Sequence, residues 1–257
     1  MPLSMPKPLF SIITVTYNAS HTVDRTLRSV ASQSCRLYEH IIVDGASSDD
    51  TLRIVEAAPG ASLRRVLSEP DRGLYDAMNK GLGMARGDYL IFLNAGDKLH
   101  TSDTLQLIAD KIMDNDYPGI VYGQTDLVDD AGRRLGPRHL TAPPALSYRD
   151  FARGMLVCHQ AFVVLRRIAP PYSMKYRFSA DYDWCVKCLQ HSRSNVYTGA
   201  TLIDYLSEGL TTANHSKSLR ERFQIMCRYY GFFPTVWRHI GFFFRNRRYR
   251  KQQIQKN

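Results

Sequence analysis

The chain has 257 residues, of which 44% are apolar and 23% charged, enough for one substantial core or a core with a small appendage. Its net charge of +10 lies entirely in residues 215–257, where eleven Lys and Arg face a single acid, Glu221. Residues 1–214 are therefore balanced and give no electrostatic support for nucleic-acid binding. Five cysteines, odd in number and without framework spacing, exclude a disulfide scaffold and read as the reduced thiols of a cytosolic protein. The Cys185-x-x-Cys188 pair reads as packing within a helix rather than zinc or redox chemistry. The start, MPLSMPKPLF, lacks the apolar core of a signal peptide, and no apolar run approaches the roughly 20 residues needed to span a membrane.

In chain order, Phe10–Thr16 is an apolar, β-branched run that reads as a buried strand ending in Tyr17-Asn18. Helical spacing follows, with Val23, Leu27, Val30 and Ala31 on one face and Ser20 or Thr22 as the N-cap. His40–Val43 is a second strand, ending in Asp44-Gly45-Ala46-Ser47-Ser48-Asp49, and a helix starts near Asp50. Asp71-Arg72-Gly73 opens another helical pattern. Tyr89–Leu93 is a further strand that stops in Asn94-Ala95-Gly96-Asp97. Three strands thus release polar residues into one expected crevice, as strand–helix alternation builds a mostly parallel α/β sheet. Ligands of such sheets sit beyond the carboxyl ends of the strands.

Farther along, Asp129-Asp130-Ala131-Gly132 signals a hairpin, and residues 136–147, with three prolines, read as a connection over the acceptor side. His159-Gln160 precedes the apolar run 161–165 and is expected to line the cleft. Phe178 to Trp184 opens a helix whose two acids, Asp181 and Asp183, point in different directions. Asp181, after a strand and ahead of the regular pattern, is the expected cleft group. Residues 215–230 place Leu219, Phe223, Met226, Cys227 and Tyr230 on one helical face expected to pack on the main domain. Residues 232–244 place Val236, Trp237, Ile240, Phe243 and Phe244 at helical spacing. Arg245, Arg247, Arg248, Arg250 and Lys251 follow, an arrangement suited to an anionic membrane surface. A helix packed on the core or on a second subunit, as in a homo-oligomer, is the alternative.

Singly, each strand-end residue also reads as a turn or cap residue, because Asp, Asn, Gly and Ser follow strands for backbone reasons. Together they suggest a nucleotide-and-metal crevice. Asp44 could accept from a base or ribose, and Thr16, Tyr17 and Asn18 could supply a stacking ring and polar contacts. Asp71-Arg72-Gly73 and Lys80 could meet the rest of the nucleotide, and Asp97 could hold a hard cation.

The segments FSIITVTYN, VDGASSDDT (43–51), EPDRGLYDAMNKG (69–81), GDYLIFLNAGD (87–97), HQAF (159–162) and SADYDW (179–184), in this order, resemble the inverting family 2 glycosyltransferases of GT-A fold. The likeness covers about residues 8–214 and is nearest to enzymes of bacterial surface-polysaccharide synthesis, colanic-acid type included. The resemblance implies a Rossmann-like, mostly parallel sheet flanked by helices. A GT-A domain would span 1–214, with a nucleotide half at about 8–100 and an acceptor half at about 101–214. A helical, aromatic and basic extension would span 215–257. It implies a UDP-sugar donor held by Thr16, Tyr17, Asn18, Asp44 and Ser47, with Asp71, Lys80 and Asn94 nearby, and Mg²⁺ or Mn²⁺ held at Asp97. Asp181 would be the catalytic base, with His159, Gln160 and Asp183 toward a lipid-linked saccharide acceptor. The enzyme would work in the cytoplasm, peripherally on the inner face of the membrane. Many relatives carry acids where this chain has Asn94 and Gly96, so Asp97 alone remains of the usual cluster. A sugar nucleotidyltransferase is a competing class, but would usually show a glycine-rich phosphate loop where this chain reads Tyr17-Asn18-Ala19-Ser20. A non-catalytic membrane or assembly protein would explain the tail but not the strand-end acids.

Overall fold

A computed structural model of the chain describes residues 7–207 and 215–241. Among these, nine strands form one sheet. Strand β1 (Phe10–Thr16) lies between β2 (Tyr38–Asp44) and β4 (Tyr89–Phe92), parallel to both, and β2 pairs in parallel with β3 (Arg64–Ser68). Every residue of β1, β2 and β4 is buried, the signature of a parallel sheet covered on both faces. Beyond β4 the sheet turns mixed. Strand β8 (Phe162–Leu165) runs antiparallel between β4 and β6 (Ile120–Val128), and β9 (Asn195–Leu206) is parallel to β6. The short β5 (Lys98–Leu99) closes on β9, and β7 (Arg134–Pro137) forms the expected hairpin with β6. Six of these nine strands run in one direction.

The helices cover both faces for reasons legible in the strands. Ile42 packs with Val23 and Leu27 of α1 (Val23–Ala31) and Val55 of α2 (Thr51–Ala57). Ile41 and Val43, pointing the other way, join the main core with Met78 of α3 (Leu74–Met84). A Cβ on Gly81 would come within 2.4 Å of the Ile13 side chain, so glycine lets α3 sit directly on β1. Helix α4 (Thr104–Asp114) buries Leu105, Ile108 and Ile112. Helix α5 (Ala180–His191) buries Trp184, Cys185 and Cys188, and both thiols are free, as packing residues should be.

Three expectations are corrected. Asp181 lies in the first turn of α5, preceded by the irregular segment 169–179 rather than by a strand. Helix α6 (His215–Tyr230) packs on α5 with a face turned from the one expected: Met226 is buried and Tyr230 packs on the core as expected, but Ser218 and Ile225 are buried too, whereas Leu219 is exposed. Polar bonds set that rotation. Glu221 accepts from the backbone N–H of Arg177, Phe178 and Ser179, and the Tyr229 hydroxyl donates to Asp183. Thr22 rather than Ser20 precedes α1, and its side chain bonds Ala19 O instead of capping the helix.

Candidate active site

The carboxyl ends of β1 and β2 are stitched together. Thr16 Oγ1 donates to Asp44 Oδ1 (2.9 Å), the Asn18 N–H donates to Ser47 Oγ (2.8 Å), and Asn18 Oδ1 accepts from the Ser48 N–H (2.9 Å). The buried Asp44 carboxylate also accepts from Ser47 Oγ (2.5 Å), Ser47 N (2.9 Å) and Ser68 Oγ (2.8 Å). Burial alone would raise its pKa, but these bonds outweigh burial and hold it below the usual carboxylate range. Asp44 therefore fixes the shape of the loop, and Ser68 at the end of β3 is a partner that no local pattern marked. Asn18 sits at φ +47° and Ala46 at φ +60°, left-handed conformations that the stitching bonds sustain.

On this base stand three groups. The Tyr17 ring is 68% exposed. A Cβ on Gly45 would lie 2.5 Å from Asp71 Oδ2 and 3.3 Å from the Tyr17 ring. Glycine thus lets the Asp71 carboxylate and the Tyr17 ring close over the Gly45 backbone side by side. Asp71 is held by the Gly73 N–H (2.7 Å) at the entry to α3. Lys80 turns back to Pro70 O and the Glu69 carboxylate, both at 2.8 Å, and so braces the loop that carries Asp71.

The second half of the crevice centres on Asp97 and Asp181. Asp97 Oδ1 accepts from the Leu206 N–H (2.9 Å) and Oδ2 from Gln160 Nε2 (2.8 Å). Burial pushes its pKa up to about 7, and the hydrogen bonds and the Arg25 charge offset only part of this. Arg25, which also reaches Gly96 O (3.4 Å), carries no local sequence signal for this role. In the same turn Asn94 Oδ1 is buried without a hydrogen-bond partner. An orphaned oxygen beside a carboxylate whose charge is poorly compensated is a donor set that fits a hard divalent cation. Asp181 Oδ1 accepts from the Tyr75 hydroxyl (3.1 Å) and the Tyr182 N–H (2.8 Å). Burial raises the pKa of the Tyr205 phenol, and Cys158, Asp97 and Asp181 add to that rise.

Beneath them, Phe92, His159, Tyr172 and Trp184 form a ring cluster, with Tyr172 stacked on Trp184 at 5.0 Å and Tyr75 on Tyr172 at 5.6 Å. His159 is buried and bonded to the Tyr172 hydroxyl (2.5 Å). Burial drives its pKa down to about 4, so it is neutral and belongs to the floor rather than the open cleft. Asp183, expected toward the acceptor, is fully buried on the far side of the α5 turn, between Tyr229 (2.7 Å) and Lys187 (2.6 Å). It ties α6 to α5.

Among the described residues, His100, Asp126 and Asp204 also bring ligand atoms within 4.8 Å of one another. Asp204 pairs with Lys98 (2.9 Å) and His100 (2.6 Å), and Asp126 with Arg134 (2.6 Å), so this group is neutralised by side chains.

Residues 11–169 match the family model "Glycosyl transferase family 2". The chain is 35% identical over 192 residues to the PGL/p-HBAD biosynthesis glycosyltransferase of Mycobacterium bovis (strain BCG / Pasteur 1173P2), covering 73% of this chain and 72% of that one. It is 29% identical over 192 residues to the amylovoran biosynthesis glycosyltransferase AmsB of Erwinia amylovora, covering 69% of this chain and 63% of AmsB. S. aureus TarS 1-349 in complex with UDP-GlcNAc superposes with a TM-score of 0.73 at 17% identity, covering 91% of this chain and 73% of that one. The mannosyltransferase PcManGT from Pyrobaculum calidifontis, in complex with GDP-Man and Mn²⁺, gives 0.61 at 18% identity, covering 86% and 63%. At such identities the structures establish the fold, and the sequence matches establish the family. A crevice at the carboxyl ends of a largely parallel sheet, the family match over most of the chain and the GT-A likeness agree: the chain belongs to glycosyl transferase family 2 and is a glycosyltransferase of GT-A fold.

Proposed function

We propose that the protein is an inverting glycosyltransferase that moves a sugar from a UDP-sugar to a hydroxyl of a lipid-linked saccharide acceptor in cell-surface glycoconjugate synthesis. Residues 1–214 form the catalytic domain, about 8–100 for the nucleotide and about 101–214 for the acceptor, and residues 215–257 an extension. The observation that carries this reading is the convergence of the exposed Tyr17 ring and the Asp71 carboxylate over Gly45, at the carboxyl ends of β1 and β2. A flat base stacks on the ring, and the carboxylate accepts from a ring N–H. Asn18, Ser47 and the Thr16–Asp44 pair hold the loops that carry Tyr17 and Gly45 in place.

Asp181 is the general base. Its carboxylate takes the proton of the acceptor hydroxyl as that oxygen attacks the anomeric carbon. The bond from that carbon to the donor diphosphate breaks as the new one forms, the electron pair leaves with UDP, and the configuration inverts. Tyr75 fixes the aim of the carboxylate through one oxygen. Asp97 and Asn94 are the groups that would hold Mg²⁺ or Mn²⁺ with oxygens of the donor. The cation would neutralise charge on a diphosphate that is not readily protonated at neutral pH. TarS, with its bound UDP-GlcNAc, supports the UDP donor, and the names of AmsB and the mycobacterial relative support a glycoconjugate product.

A panel of UDP- and GDP-sugars tests this by release of nucleoside diphosphate with Mn²⁺ or Mg²⁺, followed by mass analysis of products on lipid-linked acceptors. One UDP-sugar should be turned over. Release of pyrophosphate from a nucleoside triphosphate and a sugar 1-phosphate, with no diphosphate release from any sugar nucleotide, would assign a nucleotidyltransferase instead.

A further inference from the structure

After α6 and the left-handed Gly231 (φ +86°), the backbone is helical over 232–241. This helix is packed inside out. Its inward side is polar. Thr235 is fully buried and donates to Gly231 O (2.7 Å), His239 lies edge-on to Phe223 at 5.0 Å, and Arg238 lies over the Tyr230 ring at 5.9 Å. Its outward side is apolar: Phe233 is 82% exposed, Trp237 78%, and Phe232 and Ile240 about half exposed. At 100° per residue, Phe233, Trp237 and Ile240 fall within one narrow stripe. A surface helix of a soluble domain normally turns that stripe to the core, and a clustered apolar face marks an interaction site.

Charge selects the occupant. No acid occurs after Glu221, while the sequence beyond the helix carries Arg245, Arg247, Arg248, Arg250, Lys251 and Lys256. These residues and Phe243 and Phe244 lie outside the described residues, so they enter only as charge and composition. On α6, Lys217, Arg220 and Arg228 are exposed. A second copy of this chain meeting the stripe would bring two strongly basic segments together, which repel. An anionic bilayer attracts them, and every basic residue near its surface adds to that attraction. Aromatic side chains of this kind settle at the headgroup–acyl boundary, and one apolar face plus one basic cluster supplies the two signals that stable peripheral attachment requires. Among the described residues no helix is long and apolar enough to cross a membrane, so contact along the helix face is the available mode. We propose that the face carrying Phe233, Trp237 and Ile240 docks on an anionic lipid bilayer. This does not depend on the donor or on catalysis.

The two tryptophans supply the readout, because Trp184 is 1% exposed and Trp237 is on the stripe. The full chain is mixed with vesicles of phosphatidylcholine, with and without phosphatidylglycerol. With the anionic vesicles it should float, Trp237 emission should shift to the blue, and brominated acyl chains should quench it. Trp237→Glu should lower the partition coefficient at least about tenfold without changing the melting temperature, and high salt should weaken binding. Failure to float with anionic vesicles at low salt overturns the proposal. So does equal binding to both vesicle types. A dimer in light scattering that Trp237→Glu dissociates, without vesicle binding, assigns the face to a second copy.

Discussion

The sharpest expectation concerns Glu221, which lies outside the strand-end motifs yet shapes the site. Its Oε1 accepts from Arg177 N (2.9 Å), and its Oε2 from Phe178 N (2.8 Å) and Ser179 N (3.0 Å). These N–H groups lead into α5, whose first turn carries Asp181, and the Ser179 side chain caps nothing there, bonding instead to Ser218. A carboxylate on α6 thus fixes the backbone that leads into α5 and, lying at that helix's N-terminal end, complements its dipole. Hydrogen bonds to a charged group each contribute about 1.5–3 kcal/mol. Glu221→Gln keeps one acceptor oxygen and turns N–H donors toward at least one backbone N–H, so a loss of about 2 kcal/mol is a conservative figure. At 1.4 kcal/mol per factor of ten, local opening of the α5 start becomes about thirtyfold more frequent. Hydrogen exchange should show amide protection in 180–184 falling by about that factor, with little change in β1 and β2. UDP affinity should hold, because Tyr17 and Asp71 share no bond with Glu221. Unchanged exchange over 180–184 in Glu221→Gln would refute the reasoning, and so would equal loss across the whole sheet.

Asp181→Asn preserves size and removes basicity. Turnover should fall about 10²–10⁴-fold with UDP affinity retained, and a variant above half of wild-type turnover at subsaturating acceptor would move the role elsewhere. Chelation with EDTA should abolish transfer and Mn²⁺ or Mg²⁺ restore it, while Asp97→Ala should lose metal-dependent UDP binding in calorimetry; full activity after exhaustive chelation would argue against the assignment. Asp97 also predicts a pH signature in the metal-free protein. Its folded pKa, about 7, lies above the unfolded value near 3.8, so its contribution is fully present below about pH 4 and lost as pH rises through 7. The difference in unfolding free energy between wild type and Asp97→Asn should drift over that window by up to the order of 4 kcal/mol, and a pH-independent difference would contradict the burial argument. Gly45→Ala places a methyl 2.5 Å from the Asp71 carboxylate, so UDP binding should weaken about tenfold or more while the melting temperature shifts by only a few degrees.

The crevice was legible because strand ends are local events. The runs that became β1, β2 and β4 are apolar and β-branched, and each stops in residues that cannot continue a buried strand. The hairpin at Asp129–Gly132 was legible for the same reason, since turn chemistry resides in four adjacent residues. Strand β3 was not, because its half-exposed residues carry no apolar run and pairing with β2 alone makes it a strand. The motif EPDRGLYDAMNKG contained Tyr75, but nothing local tells that its hydroxyl reaches Asp181, 106 positions away.

The amino-acid order by itself determined the α/β class, the strand-end loops, the family and the basic, aromatic tail. Only the tertiary structure decided what each acid does. Asp44 is spent inside its loop, Asp71 packs over Gly45 beside the Tyr17 ring, and Asp97 is buried with little to offset its charge. Asp181 and Asp183, two positions apart on α5, serve the crevice and α6 respectively. The rotation of α6 was decided the same way, by Glu221 reaching three N–H groups of the segment leading into α5 rather than by its apolar periodicity. The physical reason is common to all: backbone propensity and hydrophobic period act over a few residues, whereas a carboxylate's role is set by the donors, cations and solvent around it, which long-range packing supplies.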